Sequence, residues 1–114
     1  MMQWDDVRRL CLELPGVEES SSYGTPAMKV GGKGLVRFHQ GGEDVVLFDV
    51  GFDERDLLME TRPEVFHITP HYKDWPSVLV RLAAAGPQDI RGLIERRWRA
   101  VAPKRLLKDL DGSG

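Results

Sequence analysis

Met28-Lys29-Val30-Gly31-Gly32-Lys33-Gly34-Leu35-Val36-Arg37-Phe38 is the stretch that decides how this chain folds. Met28 and Val30 alternate with Ala27 and Lys29, the period-two pattern of a half-buried strand. Gly31-Gly32-Lys33 predicts a tight hairpin, because glycine takes positive φ without steric cost. Leu35 to Phe38 is the return strand. Gln40-Gly41-Gly42-Glu43-Asp44 predicts a second turn, and Val45 to Val50 a third strand, so the segment reads as an antiparallel meander. The glycines beside Lys33 do not make a phosphate loop. Such a loop leads through Lys-Ser/Thr into a helix, and here β-branched and aromatic residues follow.

Outside the meander the period changes. Trp4, Val7, Leu10, Cys11 and Leu14 recur at helical spacing, with Asp5 and Asp6 in the first turn and Pro15-Gly16 as the stop. Residues 17–25 are polar and irregular, with part able to pair as an edge strand. Asp53-Glu54-Arg55-Asp56 opens a short helix, with Asp53 as the expected N-cap. Val65 to Thr69 and Val78 to Leu82 are two further strands. Gly86-Pro87-Gln88-Asp89 starts a long helix whose buried stripe is Ile90, Leu93, Ile94, Trp98 and Val101, and Pro103 ends it. Residues 104–110 predict a last turn, and 111–114 are expected to fray. The predicted order is α-β(3)-α-β(2)-α. Helices segregated from an antiparallel sheet give a two-layer α+β domain over residues 1–110.

At 114 residues the chain is one domain by length, and at 41% hydrophobic and 30% charged it is globular in composition. No apolar run approaches the ~18 residues of a membrane span, so no membrane partner is expected. The N-terminal residues lack the basic and apolar regions of a secretory signal. A single cysteine, Cys11, fits a reducing, cytoplasmic setting. On the apolar face of the first helix it reads as a core residue and not as a nucleophile. The net charge of −2 conceals an asymmetry: residues 1–64 hold 13 acidic and 7 basic side chains, residues 65–114 hold 5 and 9. Arg91, Arg96, Arg97, Arg99, Lys104, Arg105 and Lys108 carry most of the positive end. They are either a solvated helix face or a patch that steers an anionic partner.

The connection between the last two strands, Thr69-Pro70-His71-Tyr72-Lys73-Asp74-Trp75-Pro76, holds more aromatic and basic chemistry than a connection needs. Tyr72 and Trp75 either cap the sheet end or form a stacking platform beside Lys73, where each stacked base contributes ~1–3 kcal/mol. His67 and His71 lack the third and fourth converging ligands of a metal site, so neither metal nor cofactor is expected. There is no nucleophile–base pair and no Gly-x-Ser-x-Gly element, which predicts a non-catalytic protein.

Three segments resemble the MmcQ/YjbR family of small bacterial proteins. They are Tyr23-Gly24-Thr25-Pro26-Ala27-Met28-Lys29-Val30-Gly31-Gly32-Lys33; Asp53-Glu54-Arg55 with Pro63-Glu64-Val65-Phe66 through Thr69-Pro70-His71-Tyr72 and Trp75 to Val78-Leu79; and Ala102-Pro103-Lys104-Arg105-Leu106. With Leu14-Pro15-Gly16-Val17 the resemblance spans almost the whole chain in order. It implies the α-β(3)-α-β(2)-α architecture, and a DNA-binding label that rests on a proposed double-wing surface. Fold alone does not transfer function. The candidate nucleic-acid contacts are His71, Tyr72, Lys73, Trp75, Lys104, Arg105 and Lys108, with Lys29 and Lys33 of the hairpin. Such binding is expected to be weak and mostly non-specific. The rival expectation is a protein-interaction or chaperone-like adaptor.

Overall fold

The meander forms, and the sheet grows on both sides of it. The computed structural model describes residues 2–22, 24–39 and 43–112, with side chains described through Lys108. Its strands are β1 (Val17–Ser22), β2 (Thr25–Val30), β3 (Lys33–Phe38), β4 (Asp44–Phe48), β5 (Phe66–His67) and β6 (Ser77–Arg81). They lie in the order β1-β2-β3-β4-β6-β5, and every described pairing is antiparallel. The helices are α1 (Trp4–Leu12), α2 (Phe52–Thr61), α3 (Pro87–Val101) and α4 (Lys104–Gly112). The expected α+β class with an antiparallel sheet is what the chain adopts. Two elements extend the expected order. The polar segment Val-Glu-Glu-Ser-Ser-Ser pairs along its whole length with β2, and the expected last turn is a nine-residue helix. Ser113 and Gly114, where fraying was expected, lie outside the described residues. Among the described residues no helix is long and apolar enough to cross a membrane.

Side-chain alternation gives the sheet two unlike faces. Val45, Leu47, Val78 and Val80 point to one side, where they join Val7, Cys11, Ile90 and Ile94 in the main core. Val46 and Leu79 point to the other side and pack with Tyr72, Phe48 and Ile68. The pairing of β2 with β3 slips by one residue, from Met28↔Val36 to Lys29↔Gly34. Leu35 is the extra residue, and a bulge of this kind re-aims a side chain. Leu35 and Val36 therefore both reach the helical side, Leu35 against Trp98.

Trp98 is fully buried, and its indole N–H donates to the Pro15 carbonyl at 2.9 Å. That bond satisfies the one polar atom of the ring. α4 closes this end of the core, with Leu106 and Leu107 against the cluster of Val30, Leu35 and Trp98. Gly16 makes the docking possible: its φ is +72°, and a Cβ there would strike the Leu106 side chain. The N-terminus of α3 is closed by the Asp89 carboxylate, which accepts from the Gly86 N–H at 2.8 Å. The N-cap of α2 is Gly51 and not Asp53, which sits in the first turn among the unpaired N–H groups.

Candidate binding site on the open sheet face

The aromatic connection does not extend the sheet. After His67 the chain crosses the face that carries no helix, makes a 3₁₀ turn over Pro70–Tyr72, and re-enters as β6 at Ser77. The two rings of its aromatic pair part company: one is a cap and the other is exposed. Tyr72 is 7% exposed and packs on Val46 and Leu79 as a cap. Trp75 is 60% exposed. The split leaves one ring anchored and one exposed.

What holds the loop is Arg55, a residue to which sequence reasoning gave no role. It lies on the inward side of α2 and is 5% exposed. Its Nη1 donates to the carbonyls of Trp75 at 2.7 Å and Tyr72 at 3.0 Å, and its Nη2 donates to that of Lys73 at 3.0 Å. A planar fork of donors is suited to gathering several carbonyls at once. The guanidinium also lies over the Phe52 ring, 4.8 Å from its centroid.

Beneath the loop is a concavity of about 770 Å³ lined by Arg37, His39, Phe48, His71, Tyr72, Trp75 and Ser77. Arg37 projects from β3 toward the open face and is 8% exposed, with Nη2 donating to the Tyr72 hydroxyl. The imidazoles of His71 and His39 meet the Tyr72 ring edge-on, with centroids 4.8 and 6.0 Å away. Gly34 leaves room for the Phe48 wall, because a Cβ there would stand 3.0 Å from the ring. The described lining contains one permanent cation, two imidazoles and three aromatic rings, and no carboxylate.

The YjbR family model matches residues 12–100, which covers all six strands, α2 and nearly all of α3. The chain belongs to the YjbR family. It is similar to uncharacterized proteins of Mycobacterium tuberculosis and Mycobacterium bovis. Each is 33% identical over 125 residues, with 95% of this chain and 95% of the mycobacterial chain covered.

In this YjbR-family chain the candidate residues fall into two groups. His71, Tyr72, Lys73 and Trp75 share the loop on the open face, and His71, Tyr72 and Trp75 line the concavity. Lys104, Arg105 and Lys108 are exposed on α4, whose apolar side packs into the helical layer with Trp98. Lys29 is half-buried on β2 opposite Glu18, and Lys33 is exposed at the start of β3. The α3 arginines are engaged within the fold. Arg96 forms a two-pronged pair with Glu54, Arg97 reaches Asp49 at 3.5 Å, and Arg91 reaches Glu13 at 3.9 Å. Much of the basic C-terminal stretch thus faces the acidic N-terminal half. His67 also has its own partner, with Nε2 2.7 Å from the Asp44 carboxylate, whereas His71 turns to Tyr72. Arg37 and Arg55 were missed because a lone arginine within a strand or a short helix reads as solvent-facing.

Proposed function

We propose that this YjbR-family chain is a non-catalytic, cytoplasmic binding protein that takes nucleic acid weakly on the open sheet face, in single-stranded form. The observation that carries this reading is the exposed indole of Trp75, two residues from Lys73 on a loop whose backbone Arg55 holds, at the rim of a concavity whose described lining holds no carboxylate. Exposed aromatic rings with flanking positive charge bind unpaired bases by stacking, with little sequence preference. A concave site admits a base that is already out of its duplex more readily than one still stacked and paired. The ion pairs of Arg91, Arg96 and Arg97 leave the α3 surface less suited to carry phosphate contacts.

Fluorescence anisotropy of a labelled single strand and of the matching duplex tests this. Single-strand binding in the ~10⁻⁴–10⁻⁶ M range, weakening as salt rises, is the expected result. Lys73→Ala flattens the salt slope by about one unit, as the loss of one phosphate contact requires, and the Lys104→Ala/Arg105→Ala pair leaves it unchanged. Binding to neither nucleic acid at low salt by the folded protein rules the proposal out. The adaptor reading then takes its place, favoured by the exposed Phe52 and Leu57 on α2. Its signature is a partner held with little salt dependence.

A further inference from the structure

The donors in the wall of the concavity point to a ligand more specific than a base. Arg37 donates to the oxygen of the Tyr72 hydroxyl. A phenolic oxygen used as an acceptor still has its own proton to give. Among the described residues no acceptor receives that proton, although Tyr72 is 7% exposed. Ser77 stands at the entry to β6, lines the same concavity and is 7% exposed as a residue, with its hydroxyl open to the solvent there. Two hydroxyls and a guanidinium thus share a described wall that contains no carboxylate.

We infer that the concavity is a small-molecule site for a planar aromatic ring that carries an oxyanion. The ring lies against the indole of Trp75 with Phe48 behind it, and the anionic oxygens accept from the Tyr72 and Ser77 hydroxyls beside the Arg37 charge. At about 770 Å³ the space falls in the range of small-molecule pockets, and a ring system with its anionic group fits within it. Aromatic carboxylates and nucleoside monophosphates share this chemistry. The inference rests on the reading of the open face as the binding surface, and it does not require a polymer.

Calorimetric titration of the full chain with benzoate and with adenosine monophosphate tests it, each compared with its uncharged counterpart, benzamide or adenosine. At least one anion is expected to bind about tenfold or more tighter than its counterpart, since charge-assisted hydrogen bonds are the strong ones. Which anion shows the preference identifies the source. Tyr72→Phe keeps the ring that packs on Val46 and Leu79 and removes only the hydroxyl. It is expected to erase most of the preference while leaving the uncharged ligands unchanged. Ser77→Ala, with the same expected direction, carries this arm if the tyrosine variant melts early. Trp75→Ala is expected to weaken charged and uncharged rings alike, because its ring is exposed and supplies stacking only. Equal affinity for anion and counterpart in both pairs, or an undiminished preference in folded Tyr72→Phe and Ser77→Ala, overturns the inference. Competition with a labelled oligonucleotide separates the two proposals. Strand binding that neither anion displaces leaves nucleic acid standing and removes this ligand; anion binding without strand binding does the reverse.

Discussion

The Arg55 guanidinium, carried by α2, donates to the backbone carbonyl of Trp75 at 2.7 Å. The backbone that carries the most exposed aromatic ring of the open face is thereby held by a buried charge on a different element, in addition to the loop's own turn bonds from Tyr72 N–H to Thr69 and from Trp75 N–H to Tyr72. Three more donations, to the carbonyls of Tyr72, Lys73 and Ser77, tie the whole crossing to α2.

Arg55→Ala is therefore expected to cost about 2–4 kcal/mol, since several buried carbonyls lose a charged donor together. Arg55→Lys recovers little of this, because one ammonium cannot replace a planar fork. Denaturant unfolding gives the stability. Proteolysis within residues 70–76 at low protease reports whether the loop opens before the rest of the chain does.

The α3 stripe offers a graded test. Ile94 is fully within the main core, whereas Leu93 packs at its edge and is only partly buried. The sequence period places both on one face, and the structure ranks them. Ile94→Ala is expected to cost about 2–5 kcal/mol and Leu93→Ala distinctly less, because the cost follows the cavity left behind. Equal losses in urea unfolding contradict that ranking.

The depth at which an element lies decided how much of it was legible. Ile90, Ile94 and Trp98 repeat at helical spacing because one side of α3 is buried along its length. The hairpin was legible from Gly31-Gly32, both at positive φ. β1 was legible only as a segment part of which could pair at an edge, because an edge strand exposed at nearly every residue has no apolar alternation to set its length. α4 looked like a turn because Leu106 and Leu107 give too short a stripe, and their burial depends on Trp98 and on the absence of a side chain at Gly16. Tyr72 and Trp75 were visible as a pair, but not the split between them. The site's two arginines were illegible for one reason: Arg37 is covered by a loop that starts some 30 residues later in the chain, and the carbonyls that Arg55 gathers lie 17 to 22 residues away.

Burial pushes the Cys11 thiol up to about 12. The folded chain then keeps that proton at a pH where the unfolded chain has lost it. The sign is that stability falls as pH rises through the ordinary thiol range toward the folded value. At neutral pH the expected result is negligible labelling of the native protein by a thiol reagent and full labelling of one site in denaturant. Rapid native labelling would show that α1 does not stay docked.

Hydrogen bonding to Arg96 holds the Glu54 carboxyl below its ordinary range. A depressed carboxylate contributes stability above its unfolded pKa and loses it as pH falls through the folded one, so the contribution disappears on acidification. Both side chains are substantially exposed, so screening keeps the contribution small. Glu54→Gln is expected to cost less than about 1 kcal/mol at neutral pH, with the difference from wild type shrinking in high salt and in acid. Denaturant midpoints across pH and salt provide the check.

The central claim is that ligand meets the open face at the aromatic loop and not the basic helices. The indole N–H resonances of a ¹⁵N-labelled chain read this most directly during titration with a short single-stranded oligonucleotide. Trp75 is exposed at the concavity, and Trp98 is buried with its N–H held by Pro15, so the protein carries both the probe and its control. The account predicts a saturable shift of the Trp75 indole, with backbone shifts at residues 71–77 and an unmoved Trp98. Shifts confined to residues 104–108, with Trp75 unmoved, contradict it.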